Sequence, residues 1–319
     1  MNITILGAES LGARALCVFV ETSWGNVLID PGVALSPHRF SKLPHPLEFA
    51  ASRLTRKKIT QAATISDTIV ISHYHFDHYT PFIPRLYGFS DENTAQELYN
   101  GKRLLVKARS HHINFSQKKR SYHLFKREDL NPIEADGETF DNLTFSRPFF
   151  HGEYKSKRGF VTMAMVVDGD ERFIYGSDIQ CLTDRPTNWI IEQHPSSVIL
   201  SGPPIYLKVV SDDQKSFAND QLNRLSEHVS TVVVDHHLTR DESFQDYILS
   251  IKKHAAKLDH KVLTAAEFSG KPDLLLETRR LELFEKYPIP ESWHDDLFNH
   301  NQAIIADLDR WEEQLQNME

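Results

Sequence analysis

The chain is poor in cysteine: two occur in 319 residues, Cys17 and Cys181. That excludes a disulfide framework and fits a reducing, cytoplasmic setting. No apolar run is long enough to span a bilayer. The opening Met1-Asn2-Ile3-Thr4-Ile5-Leu6 has neither the charged region nor the long apolar region of a signal peptide, so no membrane partner is expected. Positive charge is in deficit, with 36 Lys+Arg against 44 Asp+Glu and a net charge of −8. Bulk charge therefore argues against a large nucleic-acid footprint, without excluding a local basic patch. Linkers, repeats and low-complexity segments are also missing, so residues 1–319 read as a single domain. At 40% hydrophobic and 25% charged residues, the composition is that of an ordinary soluble globular protein.

Histidine is plentiful, at 17 residues, so an isolated histidine carries little weight. One stretch stands apart: Ile69-Val70-Ile71-Ser72-His73-Tyr74-His75-Phe76-Asp77-His78. A β-branched run delivers the chain to three imidazoles and one carboxylate, a donor set that suits zinc and similar cations. A strand ending near Ser72 leaves His73 and His75 on one side, at period two. Thr80-Pro81 reads as a helix start, with Thr80 as N-cap and proline at the first helical position. Such strand-to-helix junctions are where open α/β sheets bind ligands.

The remaining chain offers further donors at strand ends. Strands are expected over 3–6, 17–22 and 26–30, the last closing on Asp30, which on local chemistry alone is a turn-initiating carboxylate. Helices are expected over 46–58, 91–99, within 184–194, over 211–228 and from Asp241 to about Leu258. Phe149-Phe150 leads to His151. A hairpin through Asp168-Gly169-Asp170 ends at Gly176-Ser177-Asp178. The run Thr231-Val232-Val233-Val234-Asp235 delivers His236 and His237. His236 leaves the strand more directly and is preferred as a ligand, with His237 a proton donor or a residue that supports the ligands from behind; a register shift of one exchanges them. Ser116, Gln117, Lys118 and Arg120 form a candidate anion-binding element at a helix start. Lys157 and Arg240 lie close to candidate ligands in sequence, and Tyr206 follows a rigid Gly202-Pro203-Pro204 loop. From about 273 the chain is a charged, helical C-terminal extension. Its apolar stripes (Leu276, Leu283, Phe284 and Tyr287; Ile304, Ile305, Leu308, Trp311 and Leu315) read as core packing, with a homo-oligomer contact or a lid as alternatives.

His73-x-His75-x-Asp77-His78, taken with Asp30, His151, Asp178 and His236, resembles the landmark series of the metallo-β-lactamase superfamily. More closely, the chain resembles a largely archaeal family of predicted hydrolases with that fold. The shared stretches include Glu9-Ser10-Leu11-Gly12, Ile29-Asp30-Pro31-Gly32-Val33-Ala34-Leu35, Ile113-Asn114-Phe115-Ser116-Gln117, Ser201-Gly202-Pro203-Pro204, Asp235-His236-His237-Leu238 and Ala265-Ala266-Glu267-Phe268. The resemblance implies an α/β fold, a four-layer αββα sandwich with the site at one edge of two sheets. It also implies two divalent metal ions: His73, His75 and His151 on one, Asp77, His78 and His236 on the other, Asp178 bridging, and Asp30 supporting the metal loop. Zinc is favoured, with manganese or iron as alternatives. Asp77, His237 and Asp30 form the expected catalytic group of a hydrolase that activates water between two cations. Lys118, Arg120, Lys157 and Arg240 favour a phosphodiesterase or nuclease acting on a small anionic substrate or short nucleic acid. The alternatives are a lactone, thioester or amide hydrolase with an apolar pocket near Pro203, Pro204 and Tyr206, and a non-catalytic metal-stabilised binding protein.

Overall fold

Val70 faces one way and its neighbours Ile69 and Ile71 face the other, yet all three are buried. A run of β-branched residues without polar alternation has this consequence: both faces of the strand must be covered. The structure, a computed structural model, describes residues 1–318, and this arrangement recurs through both of its large sheets.

The first sheet has six strands in chain order: β1 (Asn2–Ala8), β2 (Leu16–Thr22), β3 (Gly25–Ile29), β4 (Thr68–Ile71), β5 (Arg103–Val106) and β6 (Ile133–Glu134). The β1, β2 and β3 strands are antiparallel neighbours, and β3 through β6 run parallel. Next in the chain come β7 (Thr139–Phe140) and β8 (Leu143–Phe145), then a two-stranded ribbon of β9 (Phe149–Phe150) and β10 (Phe160–Val161). The strands β11 (Ala164–Asp168), β12 (Glu171–Ser177), β13 (Ser197–Leu200), β14 (Thr231–Val234) and β15 (Lys261–Leu263) complete a seven-stranded sheet ordered β15-β14-β13-β12-β11-β8-β7. Its β12–β15 portion is parallel. The β11–β12 hairpin closes with Asp168 opposite Glu171, as its Asp-Gly-Asp turn predicts.

Three apolar layers separate these sheets and their helices. Between the sheets lie Val18, Val27, Ile29 and Val70 from one side, and Phe173, Tyr175, Ile199 and Val233 from the other. Outside the first sheet, α1 (Pro46–Thr64), α2 (Glu92–Tyr99) and α3 (Phe115–Phe125) cover Leu28, Ile69, Ile71 and Leu104. Outside the second, α4 (Asp184–Glu192), α5 (Asp212–His228) and α6 (Phe244–Ala256) cover Ile174, Val198, Leu200, Val232 and Val234. The order helix, sheet, sheet, helix is the four-layer αββα sandwich. Each such aliphatic side chain taken from water contributes about 1.5–3 kcal/mol.

After the short α7 (Ala265–Phe268), the C-terminal extension forms α8 (Arg280–Lys286), α9 (Trp293–Phe298) and α10 (Gln302–Gln316). It packs on the outer face of α1, where Leu283, Trp311 and Leu315 meet Leu47, Ala50 and Ala51. Trp293, Leu297 and Leu308 meet Phe49. Most of the expected stripe is therefore core, although Ile305 is exposed. A buried ion pair pins the extension, with Arg280 donating to both Glu48 oxygens at 2.8 and 2.7 Å. No helix among the described residues is long and apolar enough to cross a membrane.

Three local expectations need correction. No helix starts at Thr80-Pro81. The Thr80 hydroxyl instead donates to the Pro31 carbonyl at 2.5 Å and accepts from Arg56 at 2.7 Å, while its backbone N–H goes to the Tyr99 hydroxyl. With its polar groups claimed by distant residues, Thr80 has nothing left to cap a helix. The next helix begins at Glu92, capped by Asp91. The expected 46–58 helix continues to Thr64. The helix expected from Asp241 begins at Phe244, after a single 3-10 turn over Leu238–Arg240.

Candidate metal centre

The carboxyl ends of β3, β4, β12 and β14, with the end of β9, converge on one edge of the sandwich. They carry Asp30, the His73 loop, Asp178, the His236-His237 pair and His151 respectively. Three non-glycine residues at these ends adopt left-handed backbone, Asp30 (φ 49°), Ser177 (φ 52°) and His236 (φ 58°). Each costs on the order of 1–3 kcal/mol, strain that clusters at functional sites. The loop also needs Gly32. A Cβ there would lie 2.2 Å from the Tyr79 backbone nitrogen and 2.4 Å from His78 backbone atoms. The metal loop thus rests directly on the Pro31-Gly32 backbone.

Asp178 is the hub. Its Oδ2 lies 2.6 Å from His151 Nε2, 3.2 Å from His237 Nε2 and 3.5 Å from His73 Nε2. Its Oδ1 lies 3.1 Å from His78 Nε2 and 3.6 Å from His236 Nε2. One oxygen therefore faces each half of the cluster. The His75 ring stands 4.6 Å from that of His73 and 4.8 Å from that of His151, centroid to centroid. Asp77 Oδ2 is 3.5 Å from His236 Nε2. Ligand atoms of His73, His75, His151 and Asp178 lie within 4.8 Å of one another, as do those of Asp77, His78 and His236. Within this buried cluster, His73 Nε2 and Asp178 Oδ1 make no hydrogen bond among the described residues. Buried polar atoms left so are costly. Imidazole nitrogens and carboxylate oxygens aimed at one another across such gaps fit divalent cations.

Several of the imidazoles are held from behind at their outward nitrogen. His78 Nδ1 meets Asp30 at 2.7 Å, and the same carboxylate accepts from Ser72 N at 2.7 Å, from the Ser72 hydroxyl and from Tyr175 OH at 2.8 Å. His78 Nδ1 is therefore the protonated nitrogen, which leaves the Nε2 lone pair facing the cluster. His73 Nδ1 is 3.0 Å from Ser72 Oγ, and His151 Nδ1 is 3.4 Å from Gln180 Nε2. Arg240, which can only donate, approaches His237 Nδ1 with Nη1 at 3.2 Å. His237 Nδ1 must accept, so the proton sits on Nε2, facing Asp178. His236 is approached by the same guanidinium, with Nη2 3.2 Å from Nδ1 and 3.1 Å from Nε2, while its Nδ1 lies 3.6 Å from Glu9 Oε1.

Burial lowers the pKa of most of these rings, His236 and His237 alike, with His78 the exception. Burial pushes His73 down to about 4 and His75 and His237 well below the usual imidazole range, keeping them neutral. Burial opposes charge on His78 too, yet Asp178 and Asp30 together raise it. Burial likewise opposes ionisation of Asp178, and its imidazole neighbours, His78 foremost, outweigh it and hold the carboxyl well below the usual range.

The expected substrate residues fall less uniformly. Arg120 and Lys118 line a cavity beside the loop, and Arg120 donates weakly to the Tyr74 carbonyl at 3.4 Å. Lys157 is exposed, and its carbonyl accepts from Asn114 at 2.9 Å. Gln117 is not an anion donor: buried, it donates to the Phe160 carbonyl at 3.1 Å and joins α3 to β10. Arg240 is buried and paired with Glu9 at 2.6 Å, with Glu9 in turn close to Arg14. Its guanidinium therefore backs the histidines. Tyr206 is half-buried against Arg39, whose guanidinium carbon is 4.8 Å from the ring centroid. Sequence reasoning missed Ser72, Tyr175, Ser177 and Gln180, all of which flank the recognised motifs. It also missed Arg85, whose guanidinium carbon lies 3.6 Å from the Phe76 ring centroid; no local pattern signals that contact.

No protein-family model matches the chain. Among solved structures, it is similar to a metal-dependent hydrolase of the β-lactamase superfamily (TM-score 0.47, 15% identity, covering 82% of this chain and 94% of that one). It is also similar to the short form of human tRNase Z (TM-score 0.40, 13% identity, 74% and 92% covered). Its sequence relatives are much nearer. A UPF0282 protein of Pyrococcus furiosus is 40% identical over 293 residues, covering 89% of this chain and 92% of that protein. One from Thermococcus gammatolerans is 38% identical over 294 residues, covering 90% and 96%. Identity at this level across nearly the full length of both chains means that the protein belongs to the UPF0282 family.

Proposed function

We propose that the chain is a metal-dependent hydrolase of phosphodiesters. The observation that carries the hydrolase reading is the Asp178 carboxylate, with Oδ2 toward His73 and His151 and Oδ1 toward His78. A purely structural site has no use for seven donors arranged in two sets around one shared carboxylate. When bound there, two divalent cations supply Lewis-acid chemistry, lowering the pKa of water and offsetting negative charge on the substrate. The chain's own groups do the rest. Asp30 fixes the ring of His78. Arg240 holds His237 with its proton on Nε2, so that the neutral ring can donate a hydrogen bond there to negative charge on the substrate. Arg120 and Lys118 favour an anionic substrate beside the metal loop. The acyl-hydrolase alternative has less behind it, since the small cavity bordered by Pro204 mixes Glu153, Arg158, Gln180 and Gln214 with its apolar lining.

The test is hydrolysis of a generic phosphodiester by metal-stripped protein reloaded with zinc or manganese, with Asp178→Asn as control. Turnover that requires metal and disappears in the variant supports the proposal. Two bound metals without turnover would refute the phosphodiesterase reading and put lactones and thioesters next.

A further inference from the structure

Phe76 lies between two metal-loop residues, His75 and Asp77, and its side chain forms part of the wall of a cavity of about 740 Å³. This is within the range of small-molecule sites. The cavity has two characters. Pro81, Ile83, Phe115 and Tyr122 make much of it apolar, and Arg109, Lys118, Lys119 and Arg120 bring positive charge without one lining carboxylate. In a chain of net charge −8, that is a local reversal of sign. Two guanidiniums crowd Phe76, Arg85 at 3.6 Å and Arg120 at 4.6 Å from its centroid. Neither has a carboxylate within ion-pair distance among the described residues, and the buried Arg85 Nε makes no hydrogen bond there. Phe115 is 83% exposed and Tyr122 44% exposed, so both rings present faces without full protein cover.

We infer that this cavity seats a nucleotide unit, with its base against Phe115 and Tyr122 and its phosphate on Arg120 and Lys118, at the Phe76 end of the cavity. The inference rests on the phosphodiester reading of the metal centre and names the substrate class. An inorganic anion would use the guanidiniums and leave the aromatic wall idle. An alkyl chain would use the wall and desolvate four cations without compensation. A base joined to a phosphate meets both demands: aromatic side chains and guanidinium planes stack on any base, and Arg pairs with phosphate in a fork. The arrangement also sets the direction of the ligand. The phosphate end lies toward the loop that carries His75 and Asp77, and the base lies over α3.

The experiment is calorimetric titration of the zinc-loaded, full-length protein with AMP and with ribose 5-phosphate. AMP is expected to bind at least about tenfold more tightly, the worth of one stacked base. Phe115→Ala and Tyr122→Ala should each reduce that preference; Phe115 is too exposed for its loss to unfold the chain. Arg120→Gln should weaken both ligands alike. Equal affinity for the two ligands, or a preference that survives both aromatic substitutions, overturns the inference. A 5′-phosphorylated trinucleotide identifies the source: tighter binding than AMP means a strand end, equal binding a free nucleotide. Because these readouts need no turnover, the two proposals fail separately. Phosphodiester hydrolysis without base preference would sink this inference alone, and base preference without hydrolysis would sink the phosphodiesterase reading alone.

Discussion

The carboxylate of Asp30, at the end of β3, lies 2.7 Å from Nδ1 of His78. Its oxygens also take the Ser72 N–H and the Tyr175 hydroxyl. One buried carboxylate thus fixes both the position of the metal loop and the tautomer of one ligand. Asp30→Asn keeps the shape but offers an amide where His78 needs an acceptor. The expected result is a loss of about 10–100-fold in affinity for one metal, the usual effect of removing such a support. Competition titration with a zinc chelator measures it. Unchanged affinity for both metals would mean that His78 does not need its partner.

His236 and His237 are adjacent and share the Arg240 guanidinium, but they face different neighbours. His236 Nε2 is 3.3 Å from His78 Nε2 and 3.5 Å from Asp77, inside one ligand set. His237 accepts from Arg240 at Nδ1 and so holds its proton at Nε2. His236→Gln is therefore expected to lower metal content from two equivalents to one. His237→Gln should keep both metals and lower turnover by about tenfold or more, because the amide can keep a donor at the Nε2 position but loses the Nδ1 acceptor that Arg240 holds. Metal analysis alongside kinetics separates them. If His237→Gln is the variant that loses a metal, the assignments are reversed.

Much of this candidate centre was legible because its donors stand where apolar strand runs stop. Val70 and Ile71 announce His73, Phe149-Phe150 announces His151, and Val232 to Val234 announce His236. Local pattern could not show what a buried residue meets from far along the chain. Arg240 reads as an exposed phosphate ligand until Glu9, 231 positions away, claims it. Thr80-Pro81 has good helix-start chemistry, but Pro31, Arg56 and Tyr99 take the Thr80 hydrogen bonds first. Gln117 looked free to bind an anion and is instead spent on β10. In each case a partner distant in sequence outweighed the local signal.

Gly32 makes a prediction of its own. The added methyl of Gly32→Ala would meet backbone atoms of His78 and Tyr79 at 2.4 Å or less. Backbone cannot swing aside as a side chain can, so the metal loop must lift. The expected cost is about 3 kcal/mol, at the upper end of ordinary overpacking, together with weakened metal binding. Urea unfolding of metal-free and zinc-loaded protein reads both effects. A variant as stable as the parent, with unchanged zinc affinity, would show that the loop does not rest on this residue.

His45 gives the fold a pH dependence away from the metal centre. Its Nδ1 accepts from Leu47 N at 3.2 Å, capping α1, and its Nε2 lies 2.8 Å from the Tyr287 carbonyl just past α8. Both nitrogens are engaged in the neutral ring, and protonating Nδ1 would break the cap. Burial holds its pKa down to about 4, against 6.5 in the unfolded chain. Between these values the unfolded chain binds a proton that the folded chain refuses. The contribution of His45 is therefore complete above about pH 6.5 and is lost as pH falls toward 4. The full span is worth about 3 kcal/mol. Other groups titrate over the same range, so the comparison to make is with His45→Asn, which keeps a capping oxygen but has no proton to gain. Urea unfolding at pH 7 and at pH 4.5 should show the parent losing more stability than the variant, by about 2–3 kcal/mol. Parallel losses would mean that the His45 ring is protonated as readily in the folded chain as in the unfolded one, and that the link from α1 to the C-terminal extension tolerates its charge.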